Sequence, residues 1–170
     1  MPSTSKDSRV GQAAYGAAVP GLALRCSGRA ASSPLKVLLI DDTSGDLLLA
    51  EEAFSAHATD VHVTSFTAGA DALSALFDPD QAPPDVVLCD LNMPGLSGVD
   101  VLRAIKADAD LACIPVVIWS TSDHPADVAQ VYAGGASAYL VKGGTLSAVE
   151  VQVRAFVHFW QAVARTRTAA

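Results

Sequence analysis

Residues 86–98 read Val86-Val87-Leu88-Cys89-Asp90-Leu91-Asn92-Met93-Pro94-Gly95-Leu96-Ser97-Gly98. Four apolar residues without polar alternation fit a strand buried on both faces. The carboxylate of Asp90 follows at once, which places it at the carboxyl end of that strand. Similar short runs occur at Val37-Leu38-Leu39-Ile40, Val116-Val117-Ile118-Trp119 and Tyr139-Leu140-Val141. A fifth segment, Val61-His62-Val63-Thr64-Ser65-Phe66, alternates in character, as an edge strand with one wetter face would.

Helical patterns separate these runs. Thr43 to Ala56 opens on Thr43-Ser44-Gly45-Asp46, a capping-box spacing, and brings Leu47, Ala50 and Phe54 to one face. Gly69 to Phe77, Gly98 to Ala107 and Pro125 to Ala133 are the next three, the last starting on a proline suited to a first turn. About Thr145 to Arg165 is the longest, with Leu146, Val149, Val153, Phe156, Val157, Trp160 and Val163 at steps of three and four. Strands alternating with helices imply a doubly wound α/β fold, a five-stranded parallel sheet covered on both faces by right-handed crossovers.

The 170 residues suit one domain, and the composition, 51% apolar and 17% charged, suits a well-buried core. Residues 1–34 are rich in Ala, Gly and Ser without either periodicity and are expected to form a disordered extension; 35–165 form the domain and 166–170 a flexible tail. A net charge of −7 and a pI near 4.8 argue against a nucleic-acid surface, which needs basic stripes. Apolar runs of four to six residues exclude a transmembrane helix, and the first residues make a poor secretory signal, so a cytoplasmic protein is expected. Cys26, Cys89 and Cys113 contain no C-x-x-C pair and suggest neither a disulfide framework nor a zinc site. The four histidines lack close metal-ligand spacing and are read as surface or structural.

In a doubly wound sheet the site lies beyond the carboxyl ends of the strands, where chain order reverses. The runs lead into Asp41-Asp42, Asp90, Ser120-Thr121 and Lys142. Three carboxylates and one ammonium sum to −2, and a hard divalent cation with oxygen ligands would balance them. Mg2+ is the expected ion, leaving Asp90 an oxygen free to attack phosphorus in line.

LLIDD (38–42), CDLNMPGLSG (89–98), IPVVIWSTS (114–122) and YLVK (139–142) together resemble the signatures of response-regulator receiver domains, over roughly Lys36 to Trp160. The resemblance implies a flavodoxin-like sheet in the order 2-1-3-4-5. It makes Asp90 the phosphoacceptor, Asp41 and Asp42 the acidic pair for Mg2+, and Asn92 a ligand through its backbone carbonyl. Lys142 and Ser120 would hold the phosphoryl oxygens, with Ser120 and Tyr139 as the switch pair. The donor would be a phosphohistidine on a sensor histidine kinase. Gly143 stands where the family usually has proline and Ser120 where threonine is commoner, implying a more mobile Lys142 loop.

LNMPG and the aromatics Phe156 and Trp160 resemble the single-domain regulators that serve bacterial phytochrome-type kinases, with Trp160 a possible dimer contact. With no output domain after Ala170, the chain is expected to act through partners, as a homodimer through the last two helices and strand, and not as an enzyme beyond its own phosphoryl transfer and slow dephosphorylation. A phosphorylation-independent scaffold is the alternative. An aspartyl-phosphate phosphatase would need a second Asp where Asn92 stands, and a nucleotide-binding module a phosphate loop where Asp41-Asp42 stand.

Overall fold

A computed structural model describes residues 33–168. Five strands, β1 (Leu35–Ile40), β2 (Val61–Phe66), β3 (Val86–Cys89), β4 (Val116–Ser120) and β5 (Ala138–Val141), alternate with α1 (Ser44–Ser55), α2 (Gly69–Phe77), α3 (Gly98–Ala107), α4 (Pro125–Ala133) and α5 (Leu146–Thr168). The sheet runs β2-β1-β3-β4-β5, and every pairing is parallel. β3 and β4 are buried at every position, whereas β2 and β5 at the edges are only partly covered. That gradient is why the central strands read as unbroken apolar runs and β2 as an alternating one.

Successive residues of β1 feed opposite layers. Val37 and Leu39 join a core with Phe54 of α1 and Val153, Phe156, Val157 and Trp160 of α5. Leu38 and Ile40 join a second core with Leu76, Leu102, Ile105 and Ile118, under α2, α3 and α4. Each fully buried Leu, Ile or Phe contributes roughly 1.5–3 kcal/mol, so both layers are needed to hold the sheet.

Several boundaries and contacts differ from expectation. α5 runs to Thr168, because nothing in Arg165–Thr168 stops a helix, so residues 166–168 are not a tail in the backbone. Most of the extension expected at 1–34 lies outside the described residues, as do 169–170. Thr43 is the N-cap of α1 but its side chain makes no capping hydrogen bond. Leu146, expected in the apolar stripe, is 38% exposed because it opens the helix before the core begins. Trp160 is buried, 8% exposed, with its ring 6.2 Å from Phe156. It is therefore core, and any contact made from this turn of α5 falls to its neighbour Phe159, 57% exposed.

Cys89 is free and buried, and burial pushes its thiol well up, so it packs as a small apolar group. At the free edge of the sheet, the Tyr139 amide of β5 donates to the Tyr132 hydroxyl of α4 at 3.2 Å.

Candidate functional site

β1 and β3 are neighbours, yet the chain leaves them toward opposite sides of the sheet, so a crevice opens beyond their carboxyl ends. The register pairs Ile40 with Cys89, which sets Asp41 and Asp90 side by side one step beyond. The Asp90 amide donates to the Ile40 carbonyl at 2.8 Å and the Asp41 amide to the Phe66 carbonyl at 3.0 Å, so both backbones stay tied to the sheet. Asp41 is 2% and Asp90 7% exposed.

The loop after β3 folds back on Asp90. Gly98 donates its amide to the Leu91 carbonyl at 2.8 Å, and a Cβ at Gly98 would stand 2.2 Å from the Asp90 carbonyl oxygen. Only glycine allows this approach. Gly95, with φ of +79°, makes the turn that precedes it. α3 then starts with a capping box in which Ser97 accepts from the Asp100 amide while Asp100 accepts from the Ser97 amide.

β5 brings Lys142 to the same edge. Its Nζ lies 2.6 Å from Asp41 Oδ2, 2.7 Å from Asp46 Oδ2 and 3.0 Å from Asp90 Oδ1. The remaining oxygens are also engaged, since Asp41 Oδ1 accepts from the Thr43 amide at 2.9 Å and Asp90 Oδ2 from the Asn92 amide at 2.8 Å. Burial pushes the Asp41 carboxyl up, against the lowering hydrogen bond from Lys142. Burial also works against the Lys142 ammonium, but its hydrogen bonds to Asp41, Asp46 and Asp90 outweigh that and hold its pKa up. The two directions disagree for a simple ion pair. The ammonium is shared among three carboxylates, so it overcompensates no single one, and Asp41 is the most buried of the group.

Asp42 is half-buried and makes none of these contacts. Ser120 is wholly buried at the end of β4, where its Oγ accepts from the Ser122 amide at 3.2 Å. Tyr139 is half-buried and donates its hydroxyl to the Ser122 carbonyl at 2.8 Å, so Ser120 and Tyr139 meet through one loop residue. The structure thus gathers Asp41, Asp90, Lys142 and the Asn92 backbone, sets Ser120 and Tyr139 on the adjoining loop, and leaves Trp160 in the core on α5.

Sequence reasoning missed two residues. Asp46, read as a helix cap, instead turns its carboxylate to Lys142. Its signal was its place in the first turn of the helix that leaves Asp42, one turn from the acidic pair. Gln152 interrupts the apolar side of α5 and bonds to Trp119, Val141 and Gly143; a polar residue amid Val149, Val153 and Phe156 was the available hint.

Among the described residues no three His, Cys, Asp or Glu side chains form a ready-made metal cage. The reason is visible in the contacts: Lys142 occupies the space toward which Asp41, Asp46 and Asp90 converge. Three carboxylates, Asp41, Asp46 and Asp90, face one ammonium, a formal −3 + 1 = −2 at a partly desolvated strand edge, and half-buried Asp42 follows Asp41 in the chain. That donor set fits a hard cation that takes one or two protein carboxylates and completes its shell with water and phosphate oxygens. Buried or half-buried carboxylates in such excess need added positive charge.

The fold, the acidic crevice and the lysine reaching into it define a class. The chain belongs to the response regulator receiver domain family, whose model matches residues 37–154. It is 33% identical over 134 residues to response regulator Rcp1 of Synechocystis sp., covering 76% of this chain and 91% of that protein. Its fold matches the crystal structure of the phosphorylated cyanobacterial phytochrome response regulator RcpA with a TM-score of 0.72 at 30% identity, over 77% of this chain and 96% of that one. The Mn2+-bound form of Rcp1 matches with a TM-score of 0.68 at 30% identity, over 75% and 95%. No helix among the described residues is long and apolar enough to cross a membrane.

Proposed function

We propose that this receiver domain accepts a phosphoryl group on Asp90 from a sensor histidine kinase, with Mg2+ held by Asp41, Asp42, Asp90 and the backbone carbonyl of Asn92. The observation that carries the reading is Lys142 Nζ lying 2.6 Å from Asp41 and 3.0 Å from Asp90 at the end of the sheet's switch point. A bound Mg2+ supplies charge neutralisation for the incoming phosphoryl oxygens. Asp90 is the nucleophile: one carboxylate oxygen bonds to phosphorus as the donor's bond to phosphorus breaks. Lys142 moves from carboxylate to phosphoryl oxygen, exchanging one charge-assisted hydrogen bond for another.

Ser120 and Tyr139 form the switch. Phosphorylation adds about −1.5 to −2 charge and strong acceptors, which draw the Ser120 hydroxyl toward Asp90. Ser120 presently accepts from the Ser122 amide, and Tyr139 is tied to the Ser122 carbonyl, so displacing that loop releases the Tyr139 ring. The output is the face of α4, β5 and α5, through which the chain pairs with a second copy or a downstream protein. Similarity to RcpA, a cyanobacterial phytochrome response regulator, supports a phytochrome-type kinase as the donor. The Mn2+-bound form of Rcp1 supports a divalent ion.

Acetyl phosphate with and without Mg2+, followed by intact mass and sedimentation, tests this. One phosphoryl group gained only with Mg2+ and lost in Asp90→Asn is expected. No gain in wild type, repeated with phytochrome-type kinases, would instead favour a phosphorylation-independent scaffold.

A further inference from the structure

One side chain outside the carboxylate cluster gathers the backbone around it. Gln152, in the second turn of α5, accepts at Oε1 from the Trp119 indole Nε1 at 3.2 Å and from the Gly143 amide at 3.0 Å. Its Nε2 donates to the Val141 carbonyl at 2.6 Å. Two donors on one side of the amide and an acceptor on the other fix its orientation, since the flipped amide would set N–H against N–H. All three partners are sequence neighbours of the phosphoryl-contacting pair: Trp119 precedes Ser120, and Val141 and Gly143 flank Lys142.

A second observation is steric. A Cβ on Gly143 would stand 2.6 Å from Ala148 Cβ, 3.1 Å from the Ala148 carbonyl carbon and 3.2 Å from the Val149 amide. The loop after Lys142 is therefore drawn onto the first turn of α5 closely enough that glycine is required there, and the freed amide of Gly143, which a proline would lack, is the one Gln152 binds. The departure from the family's usual residue thus comes with its own tie, and the loop is fastened where a looser one was expected.

We propose that Gln152 is a positioning residue that sets Lys142, and through Trp119 also Ser120, for phosphoryl transfer; this rests on the assignment of Lys142 and Asp90 above. Gln152 touches neither the phosphoryl group nor the metal. It fixes the backbone on both sides of Lys142 so that Nζ reaches Asp41 and Asp90 without searching, and misplacement of such a contact by about 1 Å costs up to about a hundredfold in rate.

The test compares wild type with Gln152→Met, which keeps length but not the three hydrogen bonds, and with Gly143→Pro, which removes one donor and meets Ala148. Phosphorylation by acetyl phosphate at saturating Mg2+ should slow about tenfold in both, while Mg2+ affinity, read by tryptophan emission, stays undiminished. Exchange of the Gly143 amide, followed by NMR, should accelerate in Gln152→Met. A wild-type rate in Gln152→Met at lowered thermal stability would overturn the positioning role, as would parallel loss of rate and Mg2+ affinity, the mark of general damage. A faster Gly143→Pro would overturn it too. If wild type takes no phosphoryl group, the proposed function falls; unchanged Gly143 exchange in Gln152→Met would instead remove the clamp itself.

Discussion

Replacing Lys142 by methionine keeps the length of the side chain and deletes its charge, leaving Asp41 and Asp90, 2% and 7% exposed, facing each other without compensation. At an effective dielectric near 20 the attraction of Lys142 is about 6 kcal/mol toward Asp41 at 2.6 Å and about 5.5 kcal/mol toward Asp90 at 3.0 Å. Desolvation of the ammonium and carboxylates offsets most of that sum, and removing one partner of a buried pair costs about 3–5 kcal/mol net. Asp46 is left out because a third of its side chain is in water. We expect a loss near 3 kcal/mol, the lower end, because Asp41 relieves part of the repulsion by taking up a proton, its pKa being already raised by burial. Urea unfolding at pH 7 with a chelator present measures it. Asp41→Asn added to Lys142→Met should restore part of the loss, and millimolar Mg2+ should stabilise Lys142→Met more than wild type, because the metal no longer competes with an ammonium. A loss under about 1 kcal/mol, or equal stabilisation of both proteins by Mg2+, would refute the charge-balance account of this site.

Two further outcomes follow from local geometry. Gly98→Ala should cost at least about 1–3 kcal/mol in urea unfolding, because its Cβ meets the Asp90 carbonyl oxygen, a backbone atom that cannot rotate away; a change within error would show the loop to be compliant. Ser97 holds the Asp100 carboxyl below its ordinary range through hydrogen bonds from its side chain and amide. A depressed folded pKa gives stability that is present above the unfolded value of about 3.9 and lost as pH falls through the folded one. Melting temperatures of wild type and Asp100→Asn should therefore differ at pH 6 and converge in acid, and a gap independent of pH would contradict the assignment.

How much was legible in the chain follows from which forces leave a local trace. The buried strands were plain because two-faced burial demands unbroken apolar runs, as in Val86–Cys89, and the charged or hydroxyl residue after each run, Asp41, Asp90, Ser120 or Lys142, marked the site. The strand order and the roles of Asn92, Ser120 and Tyr139 came from resemblance, since pairing across a sheet is a long-range matter that periodicity does not encode. Asp46 was misread because a first-turn aspartate has two possible partners, the amides of its own helix and the ammonium of Lys142, and only the fold brings the second within reach. Trp160 was misjudged for a related reason. A wide stripe on a helix says which side is apolar but not where the core ends, and here it extends through Trp160 to Ala164 while Phe159 stays outside. Gln152 answers partners up to 33 residues away in the chain, a relation no window of sequence contains.

The hydroxyl of Tyr132 on the backbone of Tyr139 bears on how the sheet ends. β5 borders the sheet, and an unpaired border strand invites another chain to add itself by main-chain pairing, the route to open-ended stacking. Here a side chain from α4 already holds one of the main-chain donors such an intruder would use. A second chain adding itself at this border would first have to displace that hydroxyl, so the fold itself raises a barrier against open-ended stacking there.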